Sequence, residues 1–161
     1  MEVGTFSLGQ VTDMSKATIY TSRRGKAACS DKDLYAFMTD MRNFGTIIPE
    51  GTVTEWQATE DNCSFRVDKA GKVTAGLSEA LPYSRIDYFA ETFITGRVSV
   101  TMNIEPDGVE QSLITLSVSA YLNPFVKLAI GDTAVKYLNE IISAFEKFGG
   151  YDRIRGYNQS L

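Results

Sequence analysis

Residues 97–122, RVSVTMNIEPDGVEQSLITLSVSAYL, decide the fold. From Arg97 to Glu105 the even positions Val98, Val100, Met102 and Ile104 are apolar, while Arg97, Ser99, Thr101, Asn103 and Glu105 are polar. A period of two puts successive side chains on opposite faces of a strand, so one face is dry and the other wet. Pro106-Asp107-Gly108 forms a turn. Gln111 to Leu122 then repeats the pattern, with Ile114, Leu116, Val118, Ala120 and Leu122 on one side and Thr115, Ser117, Ser119 and Tyr121 on the other. The two runs predict an antiparallel hairpin with a single apolar face.

Such a face must be covered by another element, and the next stretch supplies one. Pro124 opens a segment that runs to Phe148 and spans about 37 Å as a helix. Leu128, Val135, Leu138, Ile142 and Phe145 lie along one stripe, with Ala134 and Ile141 beside it; Lys127, Lys136, Asn139, Glu140 and Glu146 lie elsewhere. Gly131-Asp132 is a place for a kink. Gly149-Gly150 ends the helix, and residues 149–161 read as a polar tail.

Upstream, Lys16 to Cys29 reads as one long strand interrupted near Arg23-Arg24-Gly25, with Gly25 marking a bulge. Ser30, three residues before Asp33, starts a helix in the manner of a capping box, and Leu34, Phe37, Met38 and Met41 share one helical face. A second short helical turn follows around Asn43 to Ile47, and Pro49 with Gly51 closes the region. Four more strands precede the hairpin. They are Thr52 to Ala58, a run in which Cys63, Phe65 and Val67 alternate with polar residues, another in which Val73, Ala75 and Leu77 do so, and Arg85 to Thr92. Glu60-Asp61-Asn62 and Lys69-Ala70-Gly71 are the turns between them. In Arg85 to Thr92 both parities carry an aromatic residue, Tyr88 and Phe89, which leaves its inward face open. Residues 1–15 read as an N-terminal arm, which Val3, Phe6, Leu8 and Val11 are able to dock on the body.

The chain length fits one domain. With 16 Lys and Arg against 20 Asp and Glu, the net charge is −4, and the signs are interspersed. That excludes the basic surface expected of a nucleic-acid binder. No histidine is present and Cys29 and Cys63 lack metal-ligand spacing, so neither a structural metal nor a disulfide framework is expected. No Walker or dinucleotide-binding glycine motif supports a cofactor. No window approaches the apolar length that inserts into a membrane. The expectation is a cytoplasmic protein with reduced cysteines.

Ser30-x-x-Asp33-Leu34-Tyr35-Ala36-Phe37-Met38-Thr39-Asp40, then Asn43-Phe44, Ile47-Ile48-Pro49, Val53-Thr54-x-Trp56 and Leu122-Asn123-Pro124, in this order, resemble the START-like (SRPBCC) superfamily, which includes polyketide cyclase-like and Bet v 1-like proteins. The likeness covers residues 16–148. It implies an α+β helix-grip fold, a curved antiparallel sheet of about seven strands wrapped around the long C-terminal helix, and an apolar cavity between the two. It transfers no single chemistry, since one fold hosts many functions.

A cavity of this kind draws its wall from the inward parity of the strands and the facing stripe of the last helix. The candidates are Phe37, Ile48, Trp56, Phe65, Leu77, Met102, Leu116, Val118, Leu128, Val135 and Leu138; the same residues equally suit a solid core. Three functions stay open. The first is binding of a small apolar ligand, lipid-like, quinone-like or polyketide-like. The second is a cyclase or dehydratase, for which Glu79 is the candidate carboxylate, since continuing the parity of Val73, Ala75 and Leu77 aims it inward. The third is a protein-interaction module without a small ligand. Tyr88 and Tyr121 offer hydroxyls to a ligand or tips to water. The basic cluster Arg23, Arg24 and Lys26 suits either an acidic partner or a solvated bend. Cys63 reads as a small buried apolar residue, because nothing nearby activates it.

Overall fold

The computed structural model describes residues 16–68 and 71–160. The arm at residues 1–15 and most of the turn expected at Lys69-Ala70-Gly71 lie outside the described residues. The elements run β1 (Thr18–Thr21), β2 (Gly25–Ala27), α1 (Asp31–Met38), α2 (Met41–Ile47), β3 (Thr54–Ala58), β4 (Asn62–Val67), β5 (Gly71–Leu81), β6 (Arg85–Thr92), β7 (Gly96–Pro106), β8 (Ser112–Ala120), α3 (Pro124–Lys147), α4 (Tyr151–Ile154) and a 3-10 turn (Tyr157–Ser160). The eight strands form one antiparallel sheet in the order β1-β8-β7-β6-β5-β4-β3, with β2 also on β8. This is the expected helix-grip architecture.

The interrupted first strand explains the count of eight. Thr21 faces Ser117 and Gly25 faces Ile114, so β1 and β2 follow the same neighbour with one residue too many between them. Ser22 absorbs the mismatch: its N–H donates to the Leu116 carbonyl at 2.8 Å, and its hydroxyl accepts from the Leu116 N–H at 2.9 Å. The bulge turns Arg23 toward α3, where its side chain meets Glu146 at 2.7 Å and its N–H donates to Asn139 Oδ1 at 2.7 Å. Arg24 pairs with Glu105 and Lys26 with Asp107. The basic cluster is thus occupied in stitching the bend to α3 and β7.

Ser30 caps α1 by accepting from the Asp33 N–H at 3.1 Å, and Asn123 caps α3 by accepting from Val126 at 2.9 Å. Helices α1 and α2 cover one end of the concave face. There Phe44, Trp56 and Phe65 form an aromatic cluster in which Trp56 stacks on Phe65 with centroids 5.6 Å apart. Gly45 makes room for it, because a Cβ at that position would sit 2.7 Å from the indole.

The segment after Gly149 corrects the expectation of a polar tail. Tyr151 and Ile154 lie one turn apart on α4 and are both buried in the main core. The Tyr151 hydroxyl donates to the Phe145 carbonyl at 2.6 Å, and Tyr157 packs edge-on to Phe37 at 5.3 Å. The Asp33 carboxylate accepts from the backbone N–H groups of Gly156 and Asn158, at 2.8 and 3.1 Å. Three apolar or aromatic side chains, Tyr151, Ile154 and Tyr157, spaced among polar ones, pack this segment onto the core and α1.

Candidate functional site

The strand registers arrange the concave face into rows. One row holds Tyr20, Val118, Val100, Tyr88 and Leu77. Its neighbour holds Val98, Ala90, Ala75, Cys63 and Ala58. The second row carries small side chains between the first row and the pair Phe65 and Val73; its members Cys63 and Ala75 are buried in the core, while Val98 and Ala90 are half-exposed. No charged residue occurs in these rows.

Burial along the rows has a direction. On β7, Ile104 and Met102 are buried while Val100 and Val98 are half-exposed; on β8, Ile114 and Leu116 are buried and Val118 is half-exposed. The stripe of α3 shows the same gradient, with Phe145, Ile142 and Leu138 buried, Val135 half-buried and Leu128 86% exposed. Ala120 and Leu122 are exceptions, buried where the chain passes from β8 into α3. The helix packs on β1, β2 and β8. Sheet and helix therefore close on each other at one end and part at the other, like jaws. The inward-facing apolar residues at the open end keep contact with solvent. Strands β6, β7 and β8 all bring their open-end connections to this side, where Phe93 is fully exposed in the β6–β7 turn and Tyr121 and Phe125 are also exposed.

The predicted wall residues divide along this gradient. Phe37, Met102, Leu116 and Leu138 lie in the closed end as solid core. Ile48, Trp56, Phe65, Leu77, Val118 and Val135 are half-buried. Leu128 stands in solvent, because α3 has left the sheet by the time it reaches that turn. Val98 and Val100 carried the right alternation but were not among the candidates. Ala90 was hidden by the ambiguous parity of its strand, which the registers resolve: Ile86, Tyr88 and Ala90 face inward, and Phe89 faces out beneath the Arg97 guanidinium, 3.8 Å from its ring centroid.

Glu79 does not face the cleft. Leu77 pairs with Tyr88 but Glu79 pairs with Asp87, so Ser78 is a bulge and the parity flips after it. Glu79 is exposed on the convex face beside Asp87, whose carboxylate accepts from Thr101 at 3.0 Å. Tyr88 does face inward, yet its hydroxyl donates to the Met38 carbonyl at 2.8 Å, and burial pushes its pKa well up. Two recesses lie elsewhere on the described surface, neither of them between the sheet and α3. One, of about 450 Å³, is on the convex face around Gln57, Ser64 and Thr74; the other, of about 370 Å³, lies between Asp33, Glu110 and Asn158.

Both cysteines are buried, and burial pushes the Cys29 thiol up to about 12 and the Cys63 thiol up to about 11. Thiolate is the reactive form. Native protein at pH 8 is therefore expected to release almost no thionitrobenzoate from Ellman's reagent within minutes, and two equivalents after denaturation. A prompt equivalent from the native protein would reveal an accessible thiolate.

Among the described residues no group of His, Cys, Asp and Glu is placed to hold a metal, and no helix is long and apolar enough to cross a membrane. No protein-family model matches the chain, and no curated protein matches it in sequence. Solved structures match it in fold. Norcoclaurine synthase from Thalictrum flavum superposes with a TM-score of 0.65 at 10% identity, over 91% of this chain and 95% of that one. A protein from Thermobifida fusca gives 0.62 at 12% identity, over 84% and 94%. A START superfamily protein from Mycobacterium smegmatis gives 0.58 at 12% identity, over 84% and 98%. The chain has the START-like helix-grip fold.

Proposed function

We propose that the protein binds a small apolar molecule in the cleft between the concave sheet and the first half of α3. The observation that carries this reading is the matched gradient on the two jaws. Apolar side chains facing each other across the open end remain half-exposed, although complete closure would stabilise the fold by roughly 25 cal/mol for each Å² removed from water. A molecule seated there recovers that burial. The START-like fold supports the same reading, because the resemblance implies an apolar site at this place. A cyclase-type reading has lost its carboxylate, since Glu79 lies on the opposite face of the sheet.

An uncharged solvatochromic dye such as Nile red tests the proposal. Saturable binding near one equivalent is expected. Val98→Trp and Ala90→Trp, which add bulk at the half-exposed positions of the second row, are expected to weaken it about ten-fold or more, because an added indole occupies volume the dye needs, while the thermal midpoint moves little at these half-exposed positions. Equal binding by wild type and both variants would place the dye elsewhere and sink the proposal.

A further inference from the structure

Within the row Tyr20, Val118, Val100, Tyr88 and Leu77, the only polar side-chain atoms are the two tyrosine hydroxyls. That of Tyr88 is committed to the Met38 carbonyl. That of Tyr20 is shielded from solvent and has no hydrogen-bond partner among the described residues. Leaving a hydroxyl so placed is unfavourable, and native proteins rarely do it without a protein, water or ligand partner. The other such hydroxyl, Ser112, lies in the fully buried end of the sheet, paired in register with Ala27 and Pro106. Tyr20 instead occupies the row at which burial gives way to exposure, on the strand that with β8 carries the helix.

We infer that the Tyr20 hydroxyl is the polar anchor of the ligand, and that the ligand is a neutral apolar molecule bearing a carbonyl oxygen that accepts its hydrogen bond. Neutrality follows from the uncharged rows, which offer no counter-ion to a carboxylate or an amine. One acceptor follows from one free donor. The inference rests on the cleft being the ligand site and adds to it the chemical class.

The test compares 2-acetylnaphthalene with 2-ethylnaphthalene, a ketone and a hydrocarbon of nearly the same shape, as competitors of Nile red on wild type and Tyr20→Phe. The variant is expected to weaken the ketone about ten-fold and to leave the hydrocarbon unchanged or slightly tighter. Its ligand-free thermal midpoint is expected to hold or rise, because an unpartnered buried oxygen has been removed. A ketone affinity that ignores the variant, or equal loss for both compounds, overturns the inference while the cleft reading stands. A midpoint several degrees lower also overturns it, since the oxygen would then have a structural partner. If neither compound displaces the dye from wild type, the inference is overturned, while the cleft reading is decided separately by the dye's response to Val98→Trp and Ala90→Trp.

Discussion

A chain ending at Gly149 is expected to lose most of its stability. Composition makes residues 150–161 look dispensable, with Asp152, Arg153, Arg155, Asn158 and Gln159 among them. The packing reverses that judgement. Ile154 is 1% and Tyr151 6% exposed in the same core as Leu34, Met41 and Phe145, and burying each contributes roughly 1.5–3 kcal/mol. Truncation also removes both N–H groups that the Asp33 carboxylate accepts from, and Asp33 is itself buried. Two hydrogen bonds to a charged group are thereby lost, each worth about 1.5–3 kcal/mol. The sum is about 5 kcal/mol or more, against a total of about 5–15 kcal/mol for a typical domain. Urea unfolding of the truncated protein should show a lost or strongly lowered midpoint. Ile154→Ala gives the point form of the same test and is expected to cost about 2–5 kcal/mol. If both proteins unfold at the wild-type urea concentration, α4 is not part of the core.

The elements legible in advance were those set by local period. Alternation in Arg97 to Leu122 located β7 and β8, and the stripe of α3 identified the helix they close on. What escaped depended on contacts that no short window contains. Nothing in Leu77-Ser78-Glu79 marks a bulge, as neither glycine nor proline is present, so carrying the parity forward turned Glu79 to the wrong side. In β6, Phe89 has the inward look of any aromatic, yet Gly76 gives it space on the convex face and Arg97 covers its ring. Asp33 was visible as a helix-start residue; that its carboxylate holds Gly156 and Asn158 spans more than a hundred residues and leaves no local trace. The candidate wall failed in one systematic way. A helical stripe shows which side of α3 is apolar but not how far along its axis the sheet remains in contact, so Leu128 and Leu138 looked equivalent.

The last turns of α3 seat against the bend between β1 and β2, and Gly25→Val is expected to upset that seat. Gly25 is buried at the start of β2, and a Cβ there would overlap Ile142 Cγ2, with Glu146 Oε2 3.3 Å away. The bulge at Ser22 brings the bend against α3, and Arg23 pins it through Glu146, Ser143 and Asn139. Glycine is the residue that lets backbone and helix meet this closely. Valine must either push Ile142 out of the core or lift the last turns of α3 off β2, and overpacking of this kind costs about 3 kcal/mol or more where backbone has to move. Paring the partner separates steric overlap from a general intolerance of β2 to substitution. Ile142→Ala alone should cost about 2–5 kcal/mol by leaving a cavity, while Gly25→Val with Ile142→Ala should be clearly more stable than the two single losses added together, because the valine methyls enter the space the isoleucine vacates. Simple additivity would mean that Gly25 does not seat the helix. A favourable coupling shows that the close approach of Gly25 to Ile142 is what seats the last turns of α3 on β2.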